Sequence, residues 1–302
     1  MPDTSGATEP AAPAGDGGLV RLRLDLAYDG TQFSGWAAQP GRRTVAGELA
    51  LALGRVLRLD EAGVQALGLT VAGRTDAGVH ATGQVAHLDV PAAVLVAARS
   101  SHAGADPDPA PMLLRRLGGV LPPDVRVRAV APAAAGFDAR FSALARSYVY
   151  RIADRVESLD PLRRFDTAAW ARPLSAAAMA AAAPGLLGEH DFAAYCKRRE
   201  GATTVRGLQA LEVVRRADDG VLEVRVRADA FCHSMVRSLV GALTAVGEGR
   251  RAVEWPASLL VLDERAPGVA VAPAHGLTLV AVAYPPDDQL AARDAQTRRL
   301  RT

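Results

Sequence analysis

The sequence predicts an α+β fold made of two lobes, each with a mainly antiparallel sheet and helices packed on one face of it. Three observations predict this class. Stretches that are typical of strands outnumber the stretches with helical spacing. Many of the connections are short enough to join antiparallel neighbours. With 302 residues, 49% of them apolar, the chain is long enough for one large or two moderate domains with packed cores.

The first half of the chain begins with a predicted strand, VRLRLDLAYDG, in which leucines alternate with charged residues. A helix follows in TVAGELALALGRVLR, where Thr44 is the expected N-cap and apolar side chains recur on one helical face. Three further strand-like stretches lie at 64–71, 82–90 and 125–130. Residues 100–111, SSHAGADPDPAP, are rich in Gly, Pro and Asp, and we expect a surface insertion there.

The second half also alternates predicted strands and helices, but its sequence does not recognisably repeat that of the first half. Strands are predicted at 145–152, 208–215, 221–228 and 277–284. Helices are predicted in the alanine-rich stretch 175–183 and in FCHSMVRSLVGALTAVGEG, where apolar residues recur at helical spacing. The stretch APAAAG, 131–136, is typical of a connection between domains. We therefore expect an N-terminal α+β domain at 19–135 and a C-terminal α+β domain at 136–285.

Both ends of the chain fall outside this pattern. Residues 1–18, rich in Pro, Gly and Ala, predict a disordered tail, and they lack the basic start and apolar core of a signal peptide. Turn and charge composition predicts a loose C-terminal tail at 286–302. The chain contains no run of about 18 uncharged apolar residues, so we expect no membrane association.

The cysteines and histidines favour a reducing compartment and no metal. Cys196 and Cys232 have no CxxC spacing, and we expect buried thiols instead of a disulfide or a metal site. The six histidines include no HxxxH pair, so the sequence predicts no metal centre. The net charge of +2 is too small to identify a partner. Together these observations favour a cytoplasmic protein.

The stretch VAGRTDAGVH, residues 71–80, is the first candidate for chemistry. Gly73 and Gly78 bracket an arginine and an aspartate, Arg74 and Asp76, within one tight turn. Glycine permits positive φ angles and close backbone approach, so such loops occur where a polar side chain must be aimed. A charged turn between two strands is the alternative explanation of this loop taken alone.

Three further polar and aromatic stretches stand out, YDGTQFSGW, FDARFSALARSYVY and FCHSMVR. The last places His233 and Arg237 one helical turn apart on the same face. Each stretch also has an ordinary structural explanation. Phe33 and Trp36 are then hydrophobic anchors, and Tyr148 is a half-buried packing residue. The histidine and the arginine are then solvated surface groups.

Taken together, the four stretches resemble the tRNA pseudouridine synthase A family: AYDGTQFSGW, GRTDAGVHATGQVAHLD, FDARFSALARSYVYRI and DAFCHSMVRSLVGAL. The resemblance covers about residues 21–284, in the family's order and with comparable spacing, and GRTDxGVHA is highly specific for the family. Two stretches depart from it: 100–111 is longer, and 117–121, LGGVL, replaces a stretch often richer in asparagine. These departures concern a peripheral element and local RNA contacts.

The resemblance implies an enzyme that isomerises uridine to pseudouridine without ATP, a redox cofactor or a metal, in an active-site cleft between the lobes. Asp76 matches the family's essential aspartate, and the sequence leaves open whether it attacks C1′ as a nucleophile or removes a proton from C2′ as a base. Arg237 matches the cation beside this carboxylate, and Tyr148 matches the tyrosine against the target base. Arg74 matches the arginine that enters the space of the flipped-out uridine.

The resemblance also implies the substrate and the partners. Family members modify uridines 38, 39 and 40 in the anticodon stem-loop of tRNAs and work as homodimers. The matching motifs add further substrate-binding residues to Arg74 and Tyr148, namely Phe33, Trp36, Thr75, Gly78 and His80. Two other classes stay open, a non-catalytic RNA-binding protein or RNA chaperone on the same scaffold, and a phosphate-handling enzyme whose loop 73–78 cradles an anion. That loop lacks the lysine and serine of a P-loop.

Overall fold

A computed structural model describes residues 18–99, 108–197 and 203–299 of the chain. Its strands are β1 Leu19–Tyr28, β2 Thr70–Val71, β3 His80–Pro91, β4 Val125–Pro132, β5 Ala145–Ala153, β6 Ala168–Ala169, β7 Gly188–Asp191, β8 Val205–Arg215, β9 Leu222–Ala228 and β10 Leu277–Ala283. Its helices are α1 Val45–Leu57, α2 Glu61–Ala66, α3 Ala92–Ala97, α4 Ala110–Val120, α5 Ala176–Ala182, α6 Met235–Gly247, α7 Trp255–Ser258 and α8 Leu290–Arg299. Most of the expected insertion and nearly all of the expected N-terminal tail lie outside the described residues.

The strands form one sheet in the order β4-β1-β3-β10-β5-β9-β8-β7, with β2 added beside β3 and β6 beside β5. The neighbours pair antiparallel except for β3 with β10 and β5 with β6. The predicted α+β class and its mainly antiparallel sheet are confirmed. The sheet continues from one half of the chain into the other, so the separation into two lobes with a boundary at 135/136 stays a prediction.

The first half folds as its hydrophobic pattern predicts. In β1 the even-numbered residues Leu22, Leu24 and Leu26 are 1% exposed, whereas the charged residues between them face the opposite side. The hydroxyl of Thr44 accepts a hydrogen bond from the Gly47 N–H and caps α1, which confirms the predicted N-cap. Helices α1 and α4 pack against each other, and α4 packs on β4. Buried side chains of both halves belong to one contiguous core.

Helix α6 is the most deeply buried helix that the described residues contain. Twelve of its residues are buried, and Arg237 is the single one that is not. Helix α5 packs against it. A helix that is buried on nearly every side is held by neighbours all around it. The partial exposure of Arg237 marks the side on which α6 meets an open pocket.

The cysteine prediction is wrong. The sulfur atoms of Cys196 and Cys232 are bonded, and their Cα atoms lie 5.8 Å apart, a usual separation for a disulfide. Cys196 lies in the short turn before the undescribed segment 198–202, and Cys232 lies just before α6. Sequence spacing alone did not indicate the pair because the two positions meet only through tertiary packing.

The C-terminal segment is also more ordered than its composition predicts. Residues 290–299 form α8, and Leu290 is 2% exposed. Its side chain joins Phe137 and Val85 in a small second core on the other face of the sheet. One buried leucine at the start of an otherwise polar helix is too weak a pattern to distinguish from a tail.

Within the described ranges, no helix has the length and apolar character that a membrane-spanning helix requires.

The burial of the five tyrosines leads to a prediction about the stability of the protein at alkaline pH. Burial raises the pKa of Tyr28 to about 12, and it also raises the pKa values of Tyr148, Tyr150, Tyr195 and Tyr284. The unfolded value is about 10. Each neutral phenol therefore contributes stability that is complete below about pH 10 and is lost as the pH rises toward the folded-state pKa.

We expect the free energy of unfolding to fall steeply above about pH 10. Tyrosinate absorbance should rise together with unfolding and not before it. Urea unfolding at a series of pH values, followed by circular dichroism and tyrosinate absorbance, measures both. Ionisation of most tyrosines near their ordinary pKa in a protein that is still folded would contradict the burial argument.

Candidate active site

The loop 72–79 between β2 and β3 lies against the turn that follows β1. The Trp36 N–H donates to the Thr75 carbonyl at 3.0 Å, and the Gly78 N–H donates to the Phe33 carbonyl at 3.2 Å. Gly35 has a φ of +94°, and a Cβ there would lie 2.8 Å from the Thr75 carbonyl oxygen. Gly78 has a φ of +77°. Glycine at these two positions lets the loop and the turn approach each other closely.

A buried polar network supports this loop from below. The Tyr28 hydroxyl and the Thr75 hydroxyl share a hydrogen bond of 2.8 Å. The amide nitrogen of Gln84 donates to the Tyr28 hydroxyl at 3.1 Å and to the Gly73 carbonyl at 2.8 Å. Gln84 is fully buried and Tyr28 is 4% exposed. The network ties Gly73 and Thr75, in the first part of the loop, to β1 and β3. The sequence analysis placed Tyr28 at the end of a strand and at the start of the stretch YDGTQFSGW without a role, and it missed Gln84.

Arg146 on β5 holds the same loop from the second half of the chain. Its guanidinium donates to the carbonyls of Ala72, Arg140 and Asp229, each at 2.7 Å. The side chain is buried, and burial lowers its pKa. A planar guanidinium can satisfy several carbonyls at once, which the ammonium of lysine cannot do with the same geometry. This side chain therefore fixes the start of the loop to two other segments.

An open pocket of about 500 Å³ lies between the loop, the turn after β1 and the start of α6. Five residues that the sequence predicts for the site line it together, namely Trp36, Arg74, Thr75, Asp76 and Arg237. The other lining residues are Ser34, Ala37, Gln39, Ala77, His233 and Ser234. Side chains from both halves of the chain therefore meet here, which no local sequence pattern shows.

Asp76 lies next to His233 in this pocket. Its Oδ1 is 3.6 Å from the Nε2 of His233, and both side chains are partly exposed. Arg237, the expected cation, lines the same pocket, and its Nε donates to the Ala272 carbonyl at 2.6 Å. Among the described side chains no ion pair joins Arg237 to Asp76. The assignment of Arg237 as the partner of the carboxylate stays a prediction.

Tyr148 lies beneath the pocket, on the face of β5 that the core covers. It is 8% exposed, and its ring meets Phe231 edge to face with centroids 5.2 Å apart. Burial raises the pKa of Tyr148, and the charge of Asp76 acts in the same direction. The phenol is therefore held in its neutral form. It does not line the open pocket, and its contact with a target base stays a prediction.

Three other predicted substrate contacts support the loop. Phe33 is 3% exposed, with the Arg43 guanidinium 4.3 Å from its ring centroid. His80 is 5% exposed, and the Gly30 N–H donates to its Nδ1 at 3.0 Å. These two residues and Gly78 are not among those that line the pocket. A direct contact between them and a substrate stays a prediction.

The pocket combines one carboxylate with three side chains that can carry positive charge, Arg74, His233 and Arg237. A carboxylate in such surroundings can act as a nucleophile or as a base, and arginines bind phosphate oxygens. Within the ranges that the structure describes, no group of three or more His, Cys, Asp or Glu side chains could hold a metal ion.

The buried network makes a stability prediction. Tyr28→Phe removes the hydroxyl that joins Thr75 to Gln84, so two buried polar groups lose a partner, which costs about 1–3 kcal/mol. We expect the Trp36 amide, which donates to the loop, to exchange its hydrogen faster. Urea unfolding and hydrogen exchange measure the two effects.

Tyr195→Phe is the matched control because its hydroxyl donates to the Pro256 carbonyl, in a different part of the fold. It should lose stability without a selective effect on the Trp36 amide. Equal exchange of this amide in both variants would show that the network does not hold the loop.

Comparison with known proteins identifies the family. The family described as tRNA pseudouridine synthase matches residues 182–285. Three similar proteins are each named tRNA pseudouridine synthase A. The one from Frankia casuarinae is 61% identical over 284 residues, which is 94% of this chain and 96% of that protein. Those from Streptomyces griseus and Mycobacterium leprae are 55% and 52% identical, over 94% of this chain and 95% and 96% of their own lengths. With this identity over nearly its whole length, the chain belongs to the tRNA pseudouridine synthase A family.

Proposed function

We propose that this chain converts uridine to pseudouridine at positions 38, 39 and 40 in the anticodon stem-loop of tRNAs, with Asp76 as its essential carboxylate. Membership of the family makes it an isomerase that acts on tRNA. The anticodon stem-loop as the target and Asp76 as the essential residue are proposals that go beyond family membership. The observation that carries the proposal is the open pocket in which Asp76 lies among side chains from both halves of the chain.

The size of the pocket suits a flipped-out nucleotide. Its volume of about 500 Å³ falls in the range of small-molecule sites. An enzyme that acts on a base in an RNA stem must take the nucleotide out of the stack. Arg74 lies on the same loop as Asp76, and we propose that it fills the space the nucleotide leaves. The glycines around it allow the loop to approach the stem.

The chemistry needs a carboxylate and no oxidant or reductant. The N1–C1′ bond of uridine breaks, the base turns, and a C5–C1′ bond forms. The proton of C5 is then removed, and N1 carries a proton in the product. Asp76 either attacks C1′, forming a bond that breaks again when C5 bonds to C1′, or takes a proton from C2′ that returns to C2′ when the C5–C1′ bond forms. Both routes need the ionised carboxylate, which desolvation disfavours and neighbouring positive charge favours. His233 and Arg237 are the groups on α6 and its approach that supply such charge.

The raised pKa of Tyr148 limits the role that it can have in this reaction. Its raised pKa keeps the phenol protonated at ordinary pH. A protonated phenol can accept the C5 proton only while it passes its own proton on. We therefore propose that Tyr148 relays a proton and does not act as a free phenolate.

The wider context follows from the family resemblance. We propose that the protein works in the cytoplasm as a homodimer, with one tRNA in contact with both subunits and with the active-site cleft between the halves 19–135 and 136–285. The Cys196–Cys232 bond removes the cysteine argument for a reducing compartment, so this proposal rests on the resemblance alone.

The alternative is a non-catalytic RNA-binding protein on the same scaffold. It would use the arginines around the pocket and would have no need of Asp76. A phosphate-handling enzyme is less compatible with the site, because Asp76 would repel a phosphate bound by the loop. Substitution of Asp76 separates binding from chemistry.

Asp76→Asn keeps the size of the side chain and removes its charge. The amide is a poor nucleophile and a poor base, so both routes fail together. We expect tRNA affinity within a few-fold of the parent protein and no pseudouridine above background. Filter binding and tritium release from tRNA labelled at C5 of uridine measure the two properties on one preparation.

Asp263→Asn is the matched control, since Asp263 is exposed and is not among the residues that line the pocket. It should keep both binding and turnover. Turnover of Asp76→Asn near the parental rate would overturn the assignment of Asp76.

Tyr148→Phe tests the proton relay. The ring can still meet Phe231, but the hydroxyl is lost. We expect tRNA binding to persist and the single-turnover rate to fall by about 10²–10⁴, the usual contribution of acid–base catalysis. Tyr284→Phe, which loses a hydroxyl bonded to the Ala139 carbonyl, is the control and should keep its rate. A parental rate in Tyr148→Phe would leave the tyrosine with a packing role only.

A further inference from the structure

We propose that His233 is a positioning residue for Asp76, whose imidazole Nε2 donates a hydrogen bond to Asp76 Oδ1 and holds the carboxylate in its reactive orientation. This inference rests on the proposed role of Asp76. It concerns His233, which belongs to the motif FCHSMVR but has no role assigned to it by the sequence analysis.

The first observation is geometric. The Nε2 of His233 and the Oδ1 of Asp76 are 3.6 Å apart, and both side chains line the same open pocket. This distance is slightly longer than a hydrogen bond. Catalytic hydrogen bonds are often long before substrate binds and tighten in the complex.

The second observation concerns the tautomer of the imidazole. The Oγ of Ser234 lies 3.2 Å from the Nδ1 of His233. When this hydroxyl donates to Nδ1, the hydrogen of a neutral imidazole is on Nε2, the nitrogen that faces Asp76. A protonated imidazole carries a hydrogen there as well. In that tautomer, as in the protonated ring, the imidazole can donate to the carboxylate.

The third observation is that the backbone around His233 is held on both sides. The Lys197 N–H donates to the His233 carbonyl at 3.2 Å, and Cys232 is bonded to Cys196. The next residue, Ser234, has a φ of +64°, which is uncommon for a residue other than glycine. Met235 then enters the core at 1% exposure. Strained backbone of this kind persists where the surroundings impose it, and it is concentrated at functional sites.

The other charged groups in the pocket leave this role to His233. Arg237 lies one turn further along α6, and its Nε donates to the Ala272 carbonyl. Arg74 lies on the same loop as Asp76, two residues before it, and lines the same pocket. Of the basic side chains that the structure describes, His233 alone lies close to a carboxylate oxygen of Asp76, at 3.6 Å. Arg237 then supplies positive charge to the pocket and Arg74 stays available for the RNA, while the histidine orients the carboxylate.

A pair of substitutions separates the donor from the shape of the side chain. His233→Leu keeps bulk and removes the donor, whereas His233→Gln keeps an N–H at a similar distance from the backbone. We expect the single-turnover rate of His233→Leu to fall by about 100-fold, the effect of a misplaced reacting group. His233→Gln should recover most of that loss. Dissociation constants for tRNA should stay within about threefold in both variants, because orientation of Asp76 matters after binding.

Ser234→Ala is a third, milder variant. It keeps the chain at this position but removes the hydroxyl that fixes the tautomer, so we expect a smaller fall in rate and unchanged tRNA affinity. Urea unfolding shows which variants are folded, and the test remains decisive with His233→Gln and Ser234→Ala if His233→Leu does not fold. Parental rates in every folded variant would overturn the proposal. Equal losses in His233→Leu and His233→Gln would also overturn it, since the donor would then not matter.

Asp76→Asn, run in the same assay, distinguishes this inference from the function on which it rests. If Asp76→Asn turns over, the proposed catalytic role of Asp76 fails. If Asp76→Asn is inactive while His233→Leu keeps the parental rate, the role of Asp76 stands and only the positioning role of His233 fails.

Discussion

The parallel pairing of β10 with β3 is the constraint on which the site depends. Thr278 pairs with His80, the first residue of β3, where the loop that carries Asp76 ends. The next residue, Leu279, also pairs with Tyr148 on the antiparallel neighbour β5. One strand thus joins the end of the loop to the strand that carries Tyr148 and Arg146. The chain returns to the centre of its own sheet, and the residues of its two halves meet there.

Around this joint, the loop is held mainly by uncharged hydrogen bonds. Tyr28 and Gln84 hold it from below, and Arg146 uses backbone carbonyls as its acceptors. Asp76 is therefore not the counter-ion of the buried Arg146. Its carboxylate lines the open pocket. A fixed backbone with a partly exposed carboxylate is the arrangement that the proposed reaction requires.

Local patterns were reliable where one face of an element is buried and the other is not. The alternation of β1 and the N-cap of α1 at Thr44 were predicted correctly for this reason. They failed where burial comes from a distant partner. Helix α8 is held by the buried Leu290 and by the ion pair of Arg298 with Asp138, and the cysteines meet only because their two segments pack together. Gln84 went unnoticed because one polar residue inside a strand does not show whether it faces water or a partner.

Short stretches of the sequence are enough to show which kinds of side chain the candidate site contains. An aspartate and an arginine between glycines in one turn, and a histidine and an arginine one helical turn apart, need no tertiary information to be recognised. The distances between these stretches cannot be read from the sequence. The approach of His233 to Asp76 depends on how the start of α6 is placed against the first half. The bond from Arg237 Nε to the Ala272 carbonyl depends on packing within the second half. Those contacts join residues far apart in the chain, and only the packed sheet and core fix such distances.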